Sequence, residues 1–178
     1  MDIGKLTVEE MRQELHKNYP DRTDIIDLVV DTDLRHLLPL RQDIIRYIEE
    51  LKAKGYEIYG FSNCSQHVIN SFNAQYQGFE DLFDGTTFSY RVGTIKPALK
   101  DPDCDKIDTT IYDTFFRDNH IKPSTALFID DSENNVRMGQ MLGMPGVQYT
   151  KDDTVETIKE KVSGAIEKSK LSDKEDIR

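Results

Sequence analysis

Residues 126–136 read ALFIDDSENNV. Four apolar residues run directly into two adjacent aspartates, and a helical stretch follows. A short, continuous apolar run of this kind marks a strand buried on both faces, as in a parallel sheet. Asp130 and Asp131 therefore stand at the strand's carboxyl end. Working outward, 134–142 has helical spacing and Gly143 stands at its end. A second short strand is expected at 147–149. Asp152 or Asp153 then caps a helix carrying Val155, Ile158, Val162 and Ile166.

The same alternation runs upstream. A helix is expected at 111–119 and a short strand at Phe88 and Ser89. The segment 56–61 (YEIYGF) reads as a buried strand, Ser62-Asn63 breaks the pattern, and 66–72 resumes as a helix. Before it, 41–54 places Ile44, Ile45, Ile48 and Leu51 on one face, with Gly55 where a left-handed C-cap belongs. At the N-terminus, Thr7 and Glu10 have capping-box spacing ahead of Val8, Met11 and Leu15. Residues 24–38 read as helical with a break. Strands alternating with helices imply βαβ units, and so an α/β fold: a parallel sheet with helices on both faces. The segment 168–178 (KSKLSDKEDIR) is highly charged and is expected to be a disordered tail.

The chain has 178 residues, 37% hydrophobic and 31% charged, with a net charge of -10. That charge argues against nucleic acid as a ligand, which calls for clustered Lys and Arg. No apolar run approaches the roughly 20 residues of a membrane span, and the N-terminus has no signal-peptide pattern. No membrane partner and a cytoplasmic location are the expectation. Cys64 and Cys104 lack metal-site spacing and read as ordinary reduced thiols.

In a parallel sheet, ligands bind at the carboxyl ends of the strands. That rule gathers Ser62, Asn63, Asp130 and Asp131 on one sheet edge. Adjacent carboxylates at a strand end repel each other and favour a cation. Oxygen ligands suit a hard ion, and Mg²⁺ is the usual choice when phosphate shares the coordination sphere. The alternative is that Asp131 or Ser132 merely caps the following helix. Ser62, between a strand and a helix start, suits an anion, although capping would also account for it. Lys96 lies in the VGTIKP stretch, where Gly93 allows a turn and Pro97 stiffens the backbone.

Taken in order, GFSN (60–63), GTIKP (93–97) and LFIDDSENNV (127–136) resemble motifs two, three and four of the haloacid dehalogenase-like superfamily. The stretch LKAKGYEIYGFSN resembles the family's entry into motif two. The resemblance runs from about residue 3 to about residue 150. It implies a Rossmann-like core (41–167) with a partial helical cap (1–40). It also implies a Mg²⁺-dependent phosphatase acting on a small phosphorylated metabolite through an aspartyl-phosphate. Ser62 would bind the transferring phosphoryl group, Asn63 would support that loop, and Lys96 would stabilise phosphate and nucleophile. Asp131 and Asp130 would hold Mg²⁺.

The family's first motif, Asp-x-Asp with Thr or Val, bears the nucleophile on a first strand that precedes the cap. Here GKLTVEEMRQEL resembles the cap itself. The expectation is therefore a chain lacking that strand, or a relative retained as a phosphate- and metal-binding or regulatory module. A chain without a central strand would tend to self-associate. A second layout makes 25–30 (IIDLVV) a strand followed by Asp31-Thr32-Asp33, but Leu34 and Arg35 then stand where a small residue and Thr or Val belong. The insertion at 98–110, with Asp101, Asp103, Asp105 and Asp108, lacks the glycine and final Glu of a calcium loop and reads as solvated. A receiver domain carries its acid pair early and its lysine late, the reverse of the order here.

Overall fold

The computed structural model describes residues 4–31, 38–97 and 107–175. Its contacts divide the chain into two compact units, Met1–Ile95 and Lys96–Arg178.

The first unit opens with α1 (Val8–Asn18). Glu10 N–H donates to Thr7 Oγ at 3.1 Å, and Thr7 N–H donates to the Glu10 carboxylate at 2.8 Å. This is the expected capping box. A 3₁₀ turn (Pro20–Arg22) leads into α2 (Thr23–Val30). Neither helix fully buries a residue, so polar contacts carry much of their pairing. Arg12 is the hub: its guanidinium donates to Asp27 at 2.7 Å and pairs with Asp31. The layout with a strand at 25–30 does not form, because those residues turn helically against α1. Asp33 and Cys104 lie outside the described residues, as does most of the 98–110 insertion.

Helix α3 (Gln42–Ala53) ends as its sequence predicts. Gly55 takes φ +87°, Gly55 N–H donates to Lys52 O at 2.9 Å, and Tyr56 N–H donates to Leu51 O at 3.1 Å. That double closure is a Schellman motif. Strand β1 (Tyr59–Ser62), helix α4 (Gln66–Gln75), a 3₁₀ turn (Phe79–Leu82), strand β2 (Gly85–Phe88) and the short α5 (Ser89–Val92) follow. β1 and β2 pair in parallel from Tyr59↔Gly85 to Ser62↔Phe88.

The strand expected at 56–61 thus begins at Tyr59, and Asp84 supplies the reason. Ile58 N–H donates to Asp84 Oδ2 at 2.7 Å, Asp84 N–H donates to Ile58 O at 2.7 Å, and Lys52 Nζ donates to Asp84 Oδ1 at 3.0 Å. The ladder starts where this bracket lets go. The strand expected at Phe88 and Ser89 occupies 85–88 instead, because Ser89 opens α5.

The Ile58 N–H and the Lys52 ammonium hold the Asp84 carboxyl below its ordinary 3.8. A depressed carboxyl contributes stability above its unfolded pKa, and that contribution is lost as pH falls through the folded value. Asp84→Asn is expected to flatten the loss of stability below about pH 4, read as urea midpoints across an acid series.

The second unit contains α6 (Thr110–Asp118), a 3₁₀ turn (Pro123–Thr125), β3 (Phe128–Asp130), α7 (Glu133–Met141), β4 (Gly146–Gln148) and α8 (Val155–Glu175). β3 and β4 pair in parallel, Phe128↔Gly146 to Asp130↔Gln148. Two glycines let α7 lie close to this pair. A Cβ on Gly146 would fall 2.7 Å from Val136 Cγ1, and one on Gly139 would fall 3.0 Å from Phe128 Cδ1. Helix α7 also ends on a left-handed glycine, Gly143 at φ +83°. Helix α8 runs to Glu175, where a disordered tail was expected from 168. No glycine or proline interrupts 165–175, and Lys, Leu and Glu favour helix.

Parallel strands joined by helices make the fold Rossmann-like α/β. Among the described residues the strands form two parallel pairs, β1–β2 and β3–β4.

Candidate active site

Lys96 and Asp130 are 34 residues apart and form a buried ion pair at 2.5 Å, with side chains 4% and 7% exposed. Pro97 disfavours helical backbone at Lys96. The Lys96 ammonium also lies 5.3 Å from the centroid of the Phe128 ring, a cation–π distance. Asp130 ends β3, which fixes where its carboxylate projects. Oδ2 accepts from Lys96, while Oδ1 accepts from Ser132 N–H at 2.9 Å and from Asn135 Nδ2 at 2.9 Å. Three donors on one carboxylate offset the cost of burying it.

Asn135 is positioned in turn. Its carbonyl accepts from the hydroxyl of Tyr112, which is wholly buried, at 3.2 Å. Burial, with Asp130 nearby, pushes the Tyr112 phenol well above its ordinary value and keeps it a donor. Neither Asn135 nor Tyr112 was singled out from sequence. An asparagine in the first turn of a helix that follows a strand-end acid was the available signal.

Ser132 is the N-cap of α7, its hydroxyl accepting from Asn135 N–H at 3.4 Å. The alternative that Asp131 caps the helix therefore does not hold. Asp131 is exposed, and Gln148 Nε2 donates to its backbone carbonyl at 3.0 Å. Its carboxylate makes no hydrogen bond or ion pair among the described residues. The family's Mg²⁺ needs only one or two protein carboxylates when phosphate and water complete its shell. Among the described residues no three His, Cys, Asp or Glu side chains cluster for a metal. A solvent-facing Asp131 beside a fixed Asp130 fits that minimal requirement.

Ser62 and Asn63 lie in the first unit, at the end of β1 and ahead of Ser65, the N-cap of α4. Ser62 is half-buried and Asn63 exposed. The geometry that joins Lys96 to Asp130 lies wholly within the second unit. Asp31 belongs to neither strand end. It follows α2, and the Arg12 guanidinium holds its carboxyl below the usual range. Asp31→Asn is expected to leave phosphate and Mg²⁺ affinity unchanged by titration calorimetry. A loss of binding would return Asp31 to the reaction.

One strand ends in Asp130 with Asp131 next to it, a buried lysine pairs with the first of these acids, and a Ser-Asn pair closes another strand, the pattern expected of a haloacid dehalogenase-like hydrolase. The chain belongs to the haloacid dehalogenase-like hydrolase family, whose model matches residues 5–143. It is similar to the D-ribitol-5-phosphate phosphatase of Bacteroides thetaiotaomicron, at 28% identity over 160 residues, covering 83% of this chain and 68% of that protein. Its fold resembles a HAD-family enzyme of the same organism solved with magnesium and inorganic phosphate. That match has a TM-score of 0.65 and 22% identity over 86% of this chain and 74% of that one. A HAD-like hydrolase of Porphyromonas gingivalis matches with a TM-score of 0.64 and 21% identity, over 86% and 71% of the two chains. Among the described residues no helix is long and apolar enough to cross a membrane.

Proposed function

We propose that this chain carries the phosphate- and magnesium-handling groups of a phosphatase for small phosphorylated polyols or sugars. The observation that carries the reading is the buried Lys96–Asp130 pair, clamped by Ser132 N–H and Asn135 beside the exposed Asp131. Such an array holds a positive group rigidly where negative charge develops, without reorganising during the step. Lys96 stabilises phosphoryl oxygens, and Asp130 holds its ammonium in place. Asp131, with Asp130 directly or through water, would hold Mg²⁺, which supplies charge neutralisation and a template for the phosphate. Ser62 donates its hydroxyl to a phosphoryl oxygen, and Asn63 supports that loop. The similarity to a ribitol-phosphate phosphatase supports a polyol phosphate as substrate.

The family reaction transfers the phosphoryl group to an aspartate and then to water. The nucleophile-bearing strand is, on this reading, not among these residues. Among the described residues no strand ends in Asp-x-Asp, and Asp31 is committed to Arg12. A second reading follows from that same observation: a module that binds phosphate and Mg²⁺ without turnover. D-ribitol 5-phosphate with Mg²⁺, followed by phosphate release and by calorimetry, separates the two. Asp131→Asn is expected to abolish Mg²⁺-dependent phosphate binding under either. Turnover would retire the module reading, and the absence of both binding and turnover would overturn the assignment.

A further inference from the structure

We propose that Ser89 is a positioning residue for the phosphate loop, its hydroxyl setting the backbone that presents Ser62 and Asn63. The inference rests on the phosphate-binding role proposed for that loop. Ser89 is wholly buried. Its Oγ accepts from Cys64 N–H at 2.9 Å and donates to Cys64 O at 3.1 Å. One hydroxyl thus satisfies both main-chain groups of a single residue two positions beyond Ser62.

β1 and β2 pair in register up to Ser62↔Phe88. One residue further, β2 turns into α5 and the ladder stops. Ser89, the first residue of α5, reaches from that point to both main-chain groups of Cys64 in the 62–65 loop. The surroundings are apolar: Cys64, Ile69 and Phe88 form a buried cluster, with Val68, Phe72, Phe79 and Tyr90 packed against it. In such buried surroundings, removing the hydroxyl takes an acceptor from the Cys64 N–H and a donor from the Cys64 carbonyl at once, and water reaches them poorly as a replacement. Cys64 would then move to recover partners and drag the anion loop with it. A loop whose donors must be reordered on binding holds phosphate less tightly than one already in place.

The test compares Ser89→Ala with Ile69→Val, which trims the same apolar cluster without touching a hydrogen bond. Two quantities are read on folded protein: affinity for inorganic phosphate with Mg²⁺, and the hydrogen-exchange rate of the Cys64 amide. Ser89→Ala is expected to weaken phosphate binding by about tenfold and to speed Cys64 exchange by at least as much. Ile69→Val is expected to lose stability while leaving both values as they were. Should Ser89→Ala not fold, Ser89→Cys keeps the volume and a weak donor, and it should give intermediate shifts. Unchanged phosphate affinity, or equal losses in Ser89→Ala and Ile69→Val, would overturn the proposal. If the unaltered protein binds no phosphate, the functional reading fails and the positioning role fails with it. The Cys64 exchange rate would then show whether Ser89 still anchors the loop, so the two failures remain distinguishable.

Discussion

Lys96→Met is expected to cost about 3–5 kcal/mol of folding free energy, the usual result of removing one partner from a buried pair. The side chains of Lys96 and Asp130 are 4% and 7% exposed, so solvent screens little of the loss. Methionine fills much of the same volume, so the cost is electrostatic rather than a cavity. Lys96→Met with Asp130→Asn should recover most of the loss, since asparagine can still accept from Ser132 N–H. Urea titrations of the three proteins test this. A single-variant deficit under about 1 kcal/mol would mean that water reaches the pair.

Tyr112→Ala is expected to cost about 3–5 kcal/mol, as for a large core aromatic. Tyr112 and its neighbour Ile111 are wholly buried, and the Tyr112 ring meets Phe128 edge-on at 6.2 Å between centroids. Tyr112→Phe keeps that packing and removes the hydroxyl that donates to Asn135 O, for about 1 kcal/mol. The difference between the two isolates the ring. Because Asn135 also donates to Asp130, Tyr112→Phe should couple energetically to Asp130→Asn in a double-mutant cycle. Additive losses would place Tyr112 in the packing alone.

Local chemistry made several boundaries readable. The start of α1 follows from Thr7 and Glu10, and the ends of α3 and α7 follow from Gly55 and Gly143. In each case the decisive groups lie within a few residues of one another. Strand ends were read less well. β1 begins at Tyr59 because Asp84, 26 residues away from Ile58, brackets its entrance. β2 ends at Phe88 because Ser89 turns the chain to reach Cys64. The segment 25–30 is apolar enough for either a strand or a helix, and its docking against α1 through Arg12 settled the choice.

Composition and spacing alone were sufficient for the alternation of strands and helices and for the helix ends at Thr7, Gly55 and Gly143. These rest on local backbone preferences and on side-chain periodicity, which any stretch of chain carries with it. The candidate group Ser62, Asn63, Lys96, Asp130 and Asp131 came instead from the resemblance of three ordered motifs to one family. Only the tertiary structure decided that Asp130 is clamped by Lys96, Ser132 and Asn135 while Asp131 stays exposed, that Asp31 answers to Arg12, and that Ser89 holds Cys64. Burial strength and hydrogen-bond partnership depend on groups brought together from distant parts of the chain, and no local pattern records which will meet.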